Sequence, residues 1–260
     1  MCSSDLGDAL EKKLHFNTNY TLRGGWTATA ALLVESFGYD PDLYRNHYIE
    51  RHVGTAVDTI PFTGTPRIAN LDYVVSVGSP NFKHLNFSVF YIWGRDENFF
   101  EWASADIDYL TLNADWRPTT QLRVSHSYVM QSYRRRTDGS LVGRTQIPRL
   151  KTEYQFSRAI FLRYIGQYVA EDRTALVDSR TGLPLLPSPL GESSFGPSGA
   201  EVVNEFRNDL LFSYKPTPGT VFFVGYGASL TEPDAFRLSR DRLRRTADGF
   251  FLKASYRYRI

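Results

Sequence analysis

The last twelve residues, Gly249 to Ile260, constrain the fold more than any other stretch of the chain. Phe250, Leu252, Ala254, Tyr256, Tyr258 and Ile260 share one parity; Phe251, Lys253, Ser255, Arg257 and Arg259 share the other. Successive side chains of a strand point to opposite faces, so the segment carries one apolar wall and one mostly cationic wall. A transmembrane barrel strand uses this arrangement, with apolar residues toward lipid and polar ones toward the lumen. An edge strand of a soluble sandwich is the alternative at this point.

Composition fits the first reading. Aromatic residues make up 15%, with 16 Tyr and 18 Phe, as the aromatic girdles of a barrel require. Mean hydropathy is −0.34, which does not exclude a membrane, because a barrel strand is only half apolar. No apolar run approaches the length of a spanning helix. A formal net charge of +2 with 22% charged residues argues against nucleic acid as a partner, which needs clustered basic charge. The sole cysteine, Cys2, leaves no disulfide and no Cys-based metal site. It lies in Met1-Cys2-Ser3-Ser4-Asp5-Leu6, which looks like a translated sequencing adapter. Residues 1–6 are therefore expected to be non-native, and the barrel to occupy 7–260.

Alternating segments recur along the whole chain. Leu14 to Leu22, Trp26 to Val34, Leu71 to Val77 and Leu85 to Trp93 are expected strands, as are Asp108 to Trp116 and Leu122 to Met130. Leu150 to Phe156, Ile160 to Tyr168, Phe206 to Tyr214, Phe222 to Leu230 and the terminal segment complete eleven. In the fifth, either a bulge near Tyr109 switches faces, or Asp106 and Asp108 stand above the membrane; the second fits the length of a span. A short helix is expected from Asp40-Pro41-Asp42 to about Arg51. Short turns fall near 24, 80, 118, 158 and 217, and longer loops near 50, 98, 140, 187 and 240. That strict alternation matches short periplasmic turns and longer external loops, and a sandwich has no reason for it. Single-chain barrels have even strand numbers, so an odd count predicts a C-terminal fragment with at least one strand upstream.

The fold class that follows is all-β, an antiparallel up-and-down transmembrane β-barrel of about eleven strands. The ending resembles the signal read by barrel-assembly machinery, with Phe250, Leu252, Tyr256, Tyr258 and Ile260 as its residues. Several stretches resemble a family of uncharacterised bacterial outer-membrane proteins in which an N-terminal carbohydrate-binding-like domain of the family 9 type precedes a C-terminal barrel. They are Gly38-Tyr39-Asp40-Pro41-Asp42-Leu43, Gly94-Arg95-Asp96-Glu97-Asn98-Phe99-Phe100-Glu101-Trp102, Asp115-Trp116-Arg117-Pro118-Thr119, Pro216-Thr217-Pro218-Gly219 and Gly249 to Tyr256. The ending is also similar to that of TonB-dependent receptors. The resemblance implies a Gram-negative-type outer membrane, with its lipid and assembly machinery as partners and a polar or glycan ligand. It transfers no catalytic residue, and no cofactor is expected.

Candidate sites are then sought on the inward face. His84, Asn86 and Ser88 share a face, but neighbours two apart on a strand are too distant for a serine to be activated, so lumen lining is the better account. His47 and His52 with Glu50 have the wrong spacing for a helical zinc site. Asp96, Glu97, Glu101 and Asp106 could attract a cation or a network of sugar hydroxyls, but a solvated acidic loop is the expected reading. Inward cations Arg123, Lys151, Arg163, Arg207, Lys253, Arg257 and Arg259 face Glu153, Glu205 and Asp209. They form either an anion-favouring lining or a ladder of ion pairs that fills the lumen. The function expected is a channel or uptake barrel for a polar, glycan-related solute. A surface-binding or structural barrel is the alternative; a membrane-embedded hydrolase is the least supported class, and no enzymatic activity is expected. Pro184, Pro187, Pro189 and Pro197 exclude regular pairing from the loop Glu171 to Val202, which is expected to fold over the mouth or inward as a constriction, with disorder of its Gly- and Ser-rich second half as the alternative.

Overall fold

A computed structural model describes residues 10–187, 200–232 and 236–256. In chain order its strands are β1 (Glu11–Thr21), β2 (Thr27–Gly38), β3 (Tyr48–Val53), β4 (Ala56–Pro61), β5 (Arg67–Gly78), β6 (Leu85–Asn98) and β7 (Ala103–Trp116). They continue with β8 (Leu122–Arg135), β9 (Leu141–Gln155), β10 (Ile160–Arg173), β11 (Leu185–Leu186), β12 (Glu201–Thr217), β13 (Thr220–Glu232) and β14 (Arg244–Ser255). Eleven of them form one antiparallel up-and-down sheet, β1-β2-β5-β6-β7-β8-β9-β10-β12-β13-β14. This is the wall of a transmembrane β-barrel. It is open among the described residues, with β1 and β14 at its edges.

The wall forms because alternation runs through strand after strand in matching register. Along β5 the residues Ile68, Asn70, Asp72 and Val74 are buried, whereas Tyr73, Val75 and Val77 are exposed. The exposed parity continues across the sheet through Leu14, Phe16, Leu210, Phe212, Phe222 and Val224. So wide an apolar surface is unfavourable in water and suits acyl chains. Tyr73, Trp93 and Tyr91 stack in a row, and the Tyr91 hydroxyl donates to Asp108 Oδ1 at 2.6 Å. An amphipathic girdle of this kind marks the outer membrane–water boundary. β7 pairs with both neighbours without a register shift, so no bulge occurs near Tyr109, and Asp108 stands at the girdle.

The connections differ from expectation in four places. No helix follows Asp40: residues 41–46 turn and β3 starts at Tyr48, pairing with β4 through Tyr48↔Pro61 to Val53↔Ala56. The loops near 98 and 140 shrink to Phe99–Trp102 and Arg136–Ser140, because β6 to β9 run on past the girdle. The proline-rich loop does pair, since Leu185 and Leu186 join β3 opposite Ile49 and Tyr48. A two-residue strand needs few backbone donors, so its flanking prolines do not forbid it. Of the assembly-signal residues, Phe250, Leu252 and Tyr256 are exposed. Tyr258 and Ile260, with Arg257 and Arg259, lie outside the described residues, as do Pro189 and Pro197.

Candidate functional site

The polar face of the wall is organised in tiers, each set by residues two apart on neighbouring strands. The outermost is a cap. Phe37 and Ile68, at the outer ends of β2 and β5, pack with Tyr44, Phe62, Trp102, Ile49 and Leu185 from the connections. Tyr39 stacks on Tyr44 at 5.4 Å, and both meet Trp102 edge-on. Trp102 donates its indole N–H to Thr65 O at 2.7 Å and holds φ 48°, a left-handed conformation sustained by its fully packed ring. Gly64 is required there, since a Cβ would lie 2.2 Å from the Trp102 ring and 2.6 Å from that of Tyr39. Burial pushes the Tyr44 hydroxyl up, and it donates to Phe99 O at 2.6 Å.

The segment after β10 ties the cap down from the far side of the sheet. Glu101, 0% exposed, accepts from Arg135 Nε at 3.1 and 3.0 Å and from the Val177 amide at 2.9 Å. Asn98 Nδ2 donates to its other oxygen at 3.1 Å, and Arg135 also reaches Ala175 O at 2.8 Å. Arg180 donates to Thr63 O, and Leu176 and Leu183 pack on the aromatic cluster. A chain that leaves β10 thus docks on β3, which follows β2, a strand six places from β10 in the order of the wall.

Below the cap lies an acidic tier. Asn70 Nδ2 donates to Glu97 Oε2 at 2.8 Å, and the Glu97 amide donates to Asp96 Oδ1 at 2.9 Å. Burial first, and then the hydrogen bond and charge of Asp96, raise the Glu97 carboxyl, which stands beyond the girdle, to about 8. The expectation of a solvated acidic loop is therefore corrected: only Asp106 is well exposed, pairing with Arg136 at 3.3 Å. Glu101 is a buried ion-pair partner and Asp96 and Glu97 are partly covered. Spacing along one strand could not reveal this, because the cover comes from distant loops.

The third tier is a polar groove of about 590 Å³ on the inner halves of β6 to β9, lined by Asn86, Asn113, Asp115, Arg123, Ser125 and Lys151 among others. Asp115 is its hub, accepting from Arg123 Nε at 2.6 Å, Ser125 Oγ at 2.9 Å and Arg117 Nε at 3.0 Å. Glu153 pairs with Lys151 at 2.9 Å and lies 3.9 Å from Arg123. Sequence reasoning found Arg123, Lys151 and Glu153, but met Asp115 only as part of a motif; its parity opposite Ser125 was the available signal. A second groove of about 680 Å³ spans β10 to β14 and holds Arg163, Arg207 and Asp209. There Arg207 pairs with Glu205 at 2.7 Å, and the Phe251 ring fills the space left by Gly225. Arg149, Arg163 and Lys253 make no ion pair among the described residues. His84 Nδ1 lies 2.8 Å from Arg117 O in a turn and does not meet Ser88. His52 pairs with Glu50 at 2.7 Å on β3, apart from His47.

Comparison with known proteins gives one structural likeness. No family model matches the chain, and no curated protein matches it. The fold is similar to OmpT (in-vitro folded), an outer membrane protein of Vibrio cholerae, at 11% identity, with 95% of each chain covered and a TM-score of 0.37. At that score nothing about activity is carried across in either direction. The exclusion of an enzyme drawn from the sequence is withdrawn. It rested on the spacing of His84, Asn86 and Ser88 and on a resemblance that transfers no catalytic residue, and neither bears on the covered carboxylate tier with its raised Glu97 carboxyl.

Proposed function

We propose that the chain forms the wall of an outer-membrane channel for a polar, anion-leaning solute, with the cap as its outer constriction. The observation that supports this most is the mismatch of charge in the inner groove. Asp115 and Glu153 there are engaged by Arg117, Arg123 and Lys151, whereas Arg149 lines the same groove without an ion-pair partner among the described residues. The excess positive potential raises the local concentration of anions. A glycan-related solute remains the expectation implied by the family resemblance, and its hydroxyls suit the Asn86, Asn113 and Ser125 lining.

The outer-membrane setting is supported by the exposed apolar parity and by the girdle at Tyr73, Tyr91 and Trp93. The full-length protein reconstituted into planar bilayers under a potassium chloride gradient tests the function. A stepwise conductance with a reversal potential on the chloride side is expected. Absence of conductance, with membrane insertion shown by heat-modifiable gel mobility, would overturn the channel and leave a surface-binding barrel.

A further inference from the structure

Immediately beneath the cap, β2, β5 and β6 converge on Glu35, Asp72 and Asp96, whose carboxylate oxygens all lie within 4.8 Å of one another. Asp72 is 2% exposed, and its Oδ1 has no hydrogen-bond partner. A buried carboxylate oxygen without a donor is rare, and each such group calls for a cause. Its companions are already engaged in part: Glu35 Oε1 lies 2.7 Å from His15 Nε2, and Asp96 Oδ1 accepts the Glu97 amide. Lys13, across from Glu35 on β1, is turned to Glu11 at 3.4 Å and to the Phe37 ring. No lysine or arginine pairs with any of the three acids among the described residues.

Backbone chemistry makes the same space. Gly94, opposite Asp72 in the register, holds φ +136°, and a Cβ there would come within 3.2 Å of Asp72 Oδ1. The nearest atoms to that Cβ are Leu71 O at 2.4 Å and Asp72 Cα at 3.0 Å, so glycine lets β6 run this close to β5 beside the carboxylate.

We propose that Glu35, Asp72 and Asp96 bind a hard divalent cation of the calcium class, which joins β2, β5 and β6 under the cap. All three donors are carboxylate oxygens, the ligand type such ions prefer, and neither Cys nor a second His stands by to favour zinc. Calcium takes oxygens at about 2.3–2.6 Å. Two oxygens on one such ion can then be no further apart than about 5.2 Å, and the three carboxylates satisfy that bound, lying within 4.8 Å of one another. The ion would supply the positive charge that the protein withholds. Asn70, held by Glu97 and Ser104 Oγ at 3.3 Å, braces the β5–β6 side of the cluster. The ion would also couple the cap to the wall, because Phe37 and Ile68 stand two residues outward of Glu35 and Asn70.

The test is calorimetric titration of calcium chloride into the full chain folded in detergent and stripped with EDTA, together with urea unfolding with and without calcium. One calcium per chain is expected, with a half-saturation on the order of 0.1–1 mM as for external calcium modules, and a higher urea midpoint in calcium. Asp72→Asn should weaken binding at least ten-fold and abolish the calcium-dependent shift. In EDTA it should fold at least as stably as the parent, because it removes repulsion. Asp106→Asn, on the exposed rim, should bind like the parent. The proposal fails if the folded parent shows no saturable calcium heat, if Asp72→Asn binds unchanged, or if magnesium binds as tightly as calcium. Should Asp72→Asn not fold, Glu35→Gln is read in its place, with the same ten-fold loss expected and unchanged binding overturning the site.

Discussion

Arg135 of β8 and Glu101 of the β6–β7 connection form the ion pair on which the cap is anchored, with Arg135 10% and Glu101 0% exposed at the side chain. The pair is joined by Asn98, the Val177 amide and Ala175 O, so nearly every polar atom in it is matched. Removing one partner of a buried pair strands the other charge, at a cost of about 3–5 kcal/mol. Glu101→Ala should therefore release the segment after β10 while the wall remains folded. Trypsin should then cut at Arg180 at least ten times faster than in the parent, and channel conductance should rise. Unchanged cleavage would show that the pair does not hold the cap.

The cap should also loosen in acid. His47 lies in the connection before β3, and its Nδ1 is buried without a partner. Burial depresses its pKa below the ordinary 6.5. A basic group with a depressed folded pKa contributes stability that is complete above its unfolded value and is lost as pH falls below it. Cleavage at Arg180 should accordingly be slow and constant above about pH 7 and accelerate below about pH 6.5. His47→Gln should flatten that dependence. A parent profile flat from pH 8 to 5 would exclude His47 as its cause.

Two adjacent residues of β5 test which face meets lipid. Val75 is 39% exposed on the apolar parity, whereas Ser76 lies on the polar parity. An arginine on the lipid face near the midplane costs about 2–4 kcal/mol, and lumen positions tolerate it. Val75→Arg should lower the urea midpoint and slow assembly, and Ser76→Arg should change either little. Equal loss in both variants would contradict the facing.

Asp115 sets the charge of the inner groove by holding Arg117 and Arg123. Asp115→Asn should free both cations without adding bulk. In the same bilayer experiment the chloride preference should increase, with a reversal potential shifted further toward chloride. A shift toward potassium would overturn the role given to Asp115.

What the sequence determined by itself was everything that depends on period two within one strand. The alternation of Leu71 to Val77, Phe222 to Leu230 and Phe250 to Tyr256 separates a lipid face from a polar one without reference to any neighbour. The eleven strands of the wall, its antiparallel order and the inward positions of Arg123, Lys151, Glu153, Arg207 and Asp209 all follow from that local rule. Only the tertiary structure decided what happens beyond the girdle. Glu101 looked like a solvated acid because nothing within a few residues covers it; its cover is Arg135 and Val177, 34 and 76 residues away. Leu185 and Leu186 looked like an unpaired run between prolines until β3, itself expected as a helix, supplied their edge. Glu35, Asp72 and Asp96 lie on three strands, and each alone is an ordinary polar residue on an inward face. Contacts between segments far apart in the chain depend on the register of the whole sheet and on how the loops fold back. No periodicity within one segment encodes that information.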